Sequence, residues 1–124
     1  MIKVLVAEDN PLMLKTIELK LKKDGYDPIC CIDGKIALEK LVSEMPDIVL
    51  TDIMLPYVSG LEIITFVKAI KDKKIPVIIF SSLGQESVVE EAFSLGADDY
   101  ITKPLSLTEL AIRISKSLKR ITGE

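Results

Sequence analysis

The sequence predicts an α/β fold in which a parallel sheet is covered by helices on both faces. Short β-branched runs alternate with longer stretches of helical period along the chain. Several of these runs are apolar at every position, which is typical of parallel strands that are buried on both sides. The 124 residues suffice for one domain with a substantial core, so we expect a single domain over residues 1–124.

Five of the runs have the length and composition of strands. They are IKVLVA (2–7), DPICCI (27–32), DIVLT (47–51), PVIIF (76–80) and DYIT (99–102). Parallel strands need long crossover connections, and these are usually helices. Each gap between the runs is therefore expected to hold a helix.

The predicted helices have start and stop signals in the sequence. The first is expected to begin with Asn10 as cap and Pro11 at the first helical position, and to run to about Lys23, before Gly25. The second helix is expected at residues 35–45, after Asp33 and Gly34 and before Pro46, and the third at residues 61–70, after Ser59 and Gly60. The fourth is expected from about Glu86 to Gly96. The fifth is expected to follow the capping box from Ser106 to Glu109.

Right-handed crossovers between five βα units give a doubly wound (βα)5 parallel five-stranded sheet. Two strand orders are common for such sheets, and five strands without an additional half favour the flavodoxin-like order 2-1-3-4-5. Ligands of these sheets bind beyond the carboxyl ends of the strands, where the order reverses between strands 1 and 3. That edge is the predicted functional site.

Polar and ionisable residues stand at four of the strand ends at this edge. Glu8 and Asp9 follow strand 1, Asp52 ends strand 3, Ser81 follows strand 4 and Lys103 follows strand 5. Any one of them alone would be an ordinary loop or capping residue. Three carboxylates that face an ammonium and a hydroxyl at one edge instead predict a site.

The carboxylates of this edge need a cation among them. Two like charges about 4 Å apart repel by about 4 kcal/mol at an effective dielectric constant near 20. Magnesium is the ion that fits best, because it binds through one or two carboxylates, keeps several waters and is usually completed by a phosphoryl group. An aspartate can also act as the nucleophile itself and form an acyl phosphate.

Composition excludes several other functions. The formal charge of −3, from 16 basic and 19 acidic residues, gives no dominant positive field, so we expect no direct nucleic-acid binding by this chain. The absence of histidine excludes histidine-based catalysis, imidazole zinc sites and a phosphohistidine on this chain. No apolar stretch approaches the roughly 18 residues of a membrane span, and the N-terminus does not have the pattern of a signal peptide.

The two cysteines, Cys30 and Cys31, are neighbours in the second predicted strand. Side chains of adjacent strand residues point to opposite faces, so a disulfide between them would need unusual backbone geometry. We expect both cysteines to be reduced and packed, which favours a cytoplasmic protein.

The residues at the predicted site resemble the receiver domain of bacterial two-component response regulators. The resemblance lies in Glu8-Asp9, in DIMLPYVSG (52–60), in Ser81-Ser82 and in GADDYITKP (96–104), and it covers the whole chain. It implies a phosphoacceptor switch, not an enzyme, in which Asp52 takes a phosphoryl group from a partner histidine kinase or phosphotransfer protein. It also implies magnesium held by Asp9, Asp52 and the backbone carbonyl of Met54, with Glu8 acting largely through bound water.

The same resemblance implies how phosphorylation would be transmitted. Lys103 neutralises the phosphoryl oxygens, the Ser81 hydroxyl binds one of them, and Tyr100 then turns inward. The face built from the fourth helix, the fifth strand and the fifth helix is thereby reshaped for a downstream effector domain or protein, or for a homodimer through this face. Tyr100 could equally be a fixed core aromatic of its strand.

Two further expectations follow from the resemblance. The Lys103-Pro104 peptide bond is expected to be cis, although only about 5% of X-Pro bonds are cis in general. Met54 and Leu83 lie where receivers tune the hydrolysis of the acyl phosphate. Both are apolar and neither can orient an attacking water, so we expect a comparatively long-lived phosphoryl state.

Three alternative functions share features with a receiver domain. A flavin-binding flavodoxin should have a loop rich in Ser, Thr and Gly after strand 1, where this chain has EDNPLML. An aspartate-based phosphatase should have its nucleophile and a second acid after strand 1, and it would require an extra cap or further acids later in the chain. A receiver-like adaptor that works without phosphate would not need the acids, the serine and the lysine. After Leu118 only KRITGE remains, so we expect either a protein that docks to a partner or a piece of a longer regulator.

Overall fold

Five strands and five helices alternate within residues 1–122, as the sequence predicts. The structure, a computed structural model, describes residues 1–122. The strands are β1 Lys3–Ala7, β2 Asp27–Cys31, β3 Ile48–Asp52, β4 Val77–Ser81 and β5 Asp99–Thr102; the helices are α1 Pro11–Lys23, α2 Gly34–Glu44, α3 Gly60–Lys68, α4 Glu86–Ser94 and α5 Leu107–Thr122. Residues 123 and 124 of the expected domain lie outside the described residues, and the domain range 1–124 stays a prediction.

The strands form one parallel sheet in the order β2-β1-β3-β4-β5. The predicted flavodoxin-like doubly wound architecture is confirmed. In the strand register Ala7 lies beside Thr51, and Asp52 lies beside Phe80. The carboxyl ends of β1, β3 and β4 are therefore level with one another at the predicted site.

Two apolar layers cover the sheet. One consists of residues of β1, β3 and β4 packed against α2, α3 and α4, including Leu5, Val49, Ile79, Leu41, Ile63 and Ala92. The other consists of residues of the same strands packed against α1 and α5, including Val6, Leu50, Phe80, Ile17 and Ile114. Adjacent strand residues alternate between these layers, which explains why the strands are apolar at every position.

Strands β3 and β4 each extend one residue beyond the apolar runs 47–51 and 76–80. Asp52 and Ser81 are the last residues of these strands. Backbone pairing continues past the apolar run, since the Ile53 N–H donates to the Phe80 carbonyl at 3.3 Å and the Lys103 N–H donates to the Ser81 carbonyl at 2.7 Å. Such backbone bonds do not require an apolar side chain. The polar residues of the site are thus carried directly by the strands.

Four of the helices begin with a side-chain cap. The side-chain oxygens of Asn10, Asp33, Ser59 and Ser106 each accept a backbone N–H from three residues ahead, at 2.8 to 3.3 Å. Helix α4 has no such bond from its capping residue, Gln85. No helix within residues 1–122 is long and apolar enough to cross a membrane.

Both cysteines are free in the structure, and burial controls their chemistry. Burial, followed by the nearby Glu18 carboxylate, raises the pKa of Cys30 to about 11. Burial raises the pKa of Cys31 to about 12.

Alkylation of Cys30 should therefore be slow in the folded protein. At pH 8 a thiol whose pKa is raised from 9.0 to about 11 holds about a hundredfold less thiolate than an ordinary cysteine. We expect iodoacetamide to label the folded chain about a hundredfold more slowly than the chain unfolded in guanidinium, as followed by intact mass. Equal labelling rates for the two states would contradict this expectation.

Candidate functional site

The candidate site lies at the carboxyl ends of β1, β3, β4 and β5. Glu8 follows β1 directly, and its N–H donates to the Cys31 carbonyl at 3.0 Å, which fixes its backbone to the sheet. Glu8, Asp52 and Ser81 are 0%, 7% and 2% exposed. Ionised carboxylates are rarely buried to this extent unless a cation or hydrogen-bond donors accompany them.

Three acidic side chains converge here and are called the acid cluster: Glu8, Asp9 and Asp52. One carboxylate oxygen from each lies within 4.8 Å of the others. Glu8 and Asp52 are buried, whereas Asp9 is exposed and opens the cluster to solvent. The prediction that these acids meet at one edge is therefore confirmed in geometry.

Lys103 contacts two members of the acid cluster. Its Nζ donates a hydrogen bond to Asp52 Oδ2 at 2.5 Å and lies 3.0 Å from Glu8 Oε1. These contacts bridge from β5 to β3 and β1 across the top of the sheet. One ammonium faces three carboxylates, so the group retains an excess of negative charge when all three acids are ionised.

Burial and ion pairing shift the pKa values of Glu8 and Lys103. Burial raises the pKa of Glu8, and the Asn10 N–H, which donates to Glu8 Oε2 at 3.0 Å, opposes this only in part. Burial alone would lower the pKa of Lys103, but its contacts with the Asp52 and Glu8 carboxylates outweigh that effect and raise it. Lys103 is consequently a stable cation at neutral pH.

The acid cluster fits a hard divalent cation. Glu8 Oε1 is fully buried and accepts no well-oriented hydrogen bond within residues 1–122, although Lys103 Nζ is its near neighbour. A buried carboxylate oxygen whose only near partner is one ammonium, without a well-oriented donor, can accept a further cation. The side chains of the cluster offer carboxylate oxygens as metal ligands, and these ligands suit Mg²⁺.

Glycine at position 60 allows helix α3 to start directly behind Asp52. A Cβ atom built on Gly60 would lie 2.3 Å from the Asp52 carbonyl oxygen and 2.8 Å from Ile53 Cα. The Gly60 N–H donates to the Ile53 carbonyl at 2.8 Å, which closes the base of the loop between β3 and α3. Within this loop the Met54 N–H donates to Asp52 Oδ1 at 3.4 Å.

Tyr100 lies apart from the acid cluster. It is 41% exposed, and its ring packs edge-on against Phe93 of α4, with the ring centroids 5.8 Å apart and the planes at 89°. The alternative of a fixed core aromatic is therefore wrong. Tyr100, Ser81 and Lys103 all line one cleft of about 620 Å³ beside α4. The Lys103-Pro104 peptide bond is cis, as expected.

Sequence reasoning missed two contacts of β5. Phe93 of α4 faces Tyr100, and the helical pattern around Phe93 does not indicate this contact. Asp99 is buried, and both of its carboxylate oxygens accept from Arg113 Nη1 of α5, at 3.1 and 3.2 Å. An acid in a short alternating strand was the only available signal for this second contact.

Replacement of Glu8 by glutamine should stabilise the protein in the presence of a chelator. The substitution removes one charge of a buried acidic pair that shares a single ammonium, and Lys103 keeps Asp52 as its partner, so we expect the free energy of unfolding to rise by about 1 kcal/mol. With saturating Mg²⁺ the gain should vanish or reverse. Urea unfolding with EDTA and with Mg²⁺ measures both effects, and exposed Glu39→Gln is the matched control. Lower stability in EDTA would contradict the assignment.

A family model described as the response regulator receiver domain matches residues 4–115 of the chain. Solved structures are similar over nearly the whole chain. The receiver domain of Francisella response regulator 1452 is 35% identical, with a TM-score of 0.86, and the match covers 97% of this chain and 98% of that one.

Two other structures extend this similarity. The receiver domain of a signal transduction histidine kinase from Syntrophus aciditrophicus is 28% identical, with a TM-score of 0.88, and the match covers 98% of this chain and 92% of that one. A response regulator receiver domain protein from Methanospirillum hungatei is 22% identical, with a TM-score of 0.93 and coverage of 99% and 98%. At that identity the last similarity shows the fold alone.

Proposed function

The chain belongs to the response regulator receiver domain family, and on this premise we propose that Asp52 accepts a phosphoryl group from a partner histidine kinase or phosphotransfer protein. The observation that carries the proposal is the position of Asp52: a nearly buried carboxylate at a strand end, bonded to Lys103 Nζ and beside two further acids. The chain contains no histidine, so the phosphohistidine donor has to belong to another chain or domain.

We assign Mg²⁺ to Asp9, Asp52 and the backbone carbonyl of Met54, with Glu8 acting largely through bound water. The exposed Asp9 and the unsatisfied oxygen of Glu8 support this assignment. When bound, Mg²⁺ would neutralise charge on the transferring phosphoryl oxygens.

In the transfer step an oxygen of Asp52 forms a bond to phosphorus while the P–N bond of the phosphohistidine breaks. The electron pair of that bond stays on the imidazole nitrogen, which then takes up a proton. Lys103 already contacts Asp52 and supplies positive charge to the phosphoryl oxygens, and the Ser81 hydroxyl donates a hydrogen bond to one of them. The chain thus assists its own phosphorylation and dephosphorylation.

The proposed output is a change of the α4-β5-α5 face. Ser81, Lys103 and Tyr100 line one cleft, which supports a path from the phosphoryl group to this face. Movement of Ser81 and Lys103 toward the new dianion leaves room for Tyr100 to turn inward, away from its contact with Phe93. Coupling of this kind is typically about 1 to 3 kcal/mol. The partner is an effector domain or protein, or a second copy of the chain.

Two free cysteines support a cytoplasmic location.

A polar residue at position 54 should shorten the lifetime of the phosphoryl group. Met54 is 60% exposed and Leu83 is 95% exposed, and both side chains are apolar. The side-chain amide introduced by Met54→Asn can orient a water for attack on phosphorus. We therefore expect hydrolysis of the acyl phosphate to accelerate about tenfold, which is less than the hundredfold or more that a well-positioned group can give. Loss of the phosphoryl mass with time measures the rate, with Met54→Leu as control. An unchanged rate would remove the basis for a long-lived state.

Incubation with acetyl phosphate tests the proposed function directly. With Mg²⁺ present, the parent chain should gain the mass of one phosphoryl group, and EDTA should prevent the gain. No gain with Mg²⁺, or an equal gain in EDTA, would contradict the proposal.

A further inference from the structure

We propose that Gly34, at the start of α2, is a positioning residue for the loop that follows Asp52, and that it thereby sets the Mg²⁺ affinity of the acid cluster. The loop comprises residues 53–59 and is called the site loop. The inference rests on the proposed function, because Met54 in the site loop is assigned there as a carbonyl ligand. Gly34 itself is distant in sequence and does not belong to the cluster.

The contact between Gly34 and the site loop leaves no room for a side chain. Gly34 is buried, and its N–H donates to the Pro56 carbonyl at 3.3 Å. A Cβ atom built on Gly34 would lie 1.9 Å from the Val58 carbonyl oxygen and 2.8 Å from Val58 Cβ. The first of these contacts is with backbone, so a change of rotamer could not relieve it.

The site loop has a strained conformation that needs such support. The Pro56 carbonyl also accepts the Val58 N–H at 2.8 Å, across Tyr57, whose φ is 70°. A bond between these positions across a residue of positive φ is the pattern of a γ-turn, which is rare and strained. The Tyr57 side chain is 82% exposed, so its own packing does not hold the turn. Strained backbone persists only where the surrounding structure holds it in place. The contact of Gly34 with Pro56 and Val58 holds the site loop in this way.

The site loop connects this contact to the acid cluster. It starts immediately after Asp52, and the Met54 N–H donates to Asp52 Oδ1 at 3.4 Å. The bond from the Gly60 N–H to the Ile53 carbonyl holds the two ends of the loop together at its base. A methyl group on Gly34 would require the 1.9 Å contact to lengthen to at least 3.0 Å, which displaces Val58 while the base of the loop stays in place. Residues between Ile53 and Val58, Met54 among them, absorb the displacement.

Gly34→Ala tests the inference, and Gly25→Ala is the matched control. Gly25 has φ 89°, so alanine is strained there too, but a Cβ at Gly25 meets nothing within 4 Å. Mg²⁺ is titrated into each protein and followed by amide NMR shifts of residues 52–58. We expect Gly34→Ala to bind Mg²⁺ about tenfold more weakly than the parent, as is common when residues that support metal ligands are changed. Gly25→Ala should bind Mg²⁺ with the affinity of the parent, although it loses about as much stability as Gly34→Ala.

Amide exchange on the parent chain gives a second readout if Gly34→Ala fails to fold. Because coupling between sites is reciprocal, Mg²⁺ should slow exchange of the Gly34 amide but not of the Gly25 amide, which donates to Lys22 outside the site. Equal Mg²⁺ affinity in the two variants, or no effect of Mg²⁺ on Gly34 exchange, would overturn the inference. Neither measurement involves a phosphoryl group. If both give the expected results but the chain is not phosphorylated, the proposed function is wrong and this inference still holds.

Discussion

Asp52→Asn should abolish phosphoryl uptake while leaving the fold intact. A carboxamide has nearly the shape of the carboxylate but lacks the nucleophilic oxygen that an acyl phosphate requires. In EDTA the free energy of unfolding should stay within about 1 kcal/mol of the parent, since a lost hydrogen bond is offset by reduced repulsion inside the acid cluster. Lys103 keeps Glu8 as its partner.

Intact mass after treatment with acetyl phosphate and Mg²⁺ measures the uptake, and urea unfolding measures the stability. Asp72→Asn, at an exposed acid outside the site, is the matched control and should gain one phosphoryl group like the parent. Uptake by Asp52→Asn at the rate of the parent would show that another residue is the acceptor.

Lys103→Met should produce the largest loss of stability, and Mg²⁺ should restore much of it. In EDTA the variant leaves Glu8 and Asp52 buried without a cation, and breaking such a buried pair typically costs about 3 kcal/mol. A divalent cation in the acid cluster replaces the missing charge. Phosphoryl uptake should nevertheless be about a hundredfold slower, because one group that stabilises the transferring phosphoryl oxygens is gone.

Urea unfolding of Lys103→Met with EDTA and with Mg²⁺ measures both effects on stability. The double variant Glu8→Gln/Lys103→Met is the control, and it should lose less stability because one of the unpaired acids is neutral. An equal loss with and without Mg²⁺ would contradict a cation site at the acid cluster. A loss well below 1 kcal/mol in EDTA would show that Lys103 does not stabilise the buried acids.

Much of this architecture was predictable because its signals are local. Asn10, Asp33 and Ser59 cap helices through their own side chains, and the capped starts lie within one residue of the predicted ones. The strand order then brings Glu8 and Asp52 together, since β1 and β3 are neighbours. Strand ends were less predictable, because the backbone bonds that extend β3 and β4 do not depend on side-chain type.

Contacts that do not follow from the strand order could not be predicted from the sequence. Gly34 indicated only the start of a helix, and nothing local indicates that it meets Val58. The exposure of Tyr100 follows from topology: β5 is an edge strand, so residues on its α4 side are covered on fewer sides than those of β3. Side-chain alternation gives the face on which Tyr100 lies but not the depth of its burial.

The position of the phosphoryl group on the parent chain tests the central claim most directly. After treatment with acetyl phosphate and Mg²⁺, borohydride reduces an aspartyl phosphate to homoserine, and peptide mass spectrometry locates the product. We predict homoserine at position 52 and at no other aspartate. Homoserine at Asp9 or elsewhere, or an unmodified Asp52 in a chain that has gained phosphoryl mass, would contradict the account.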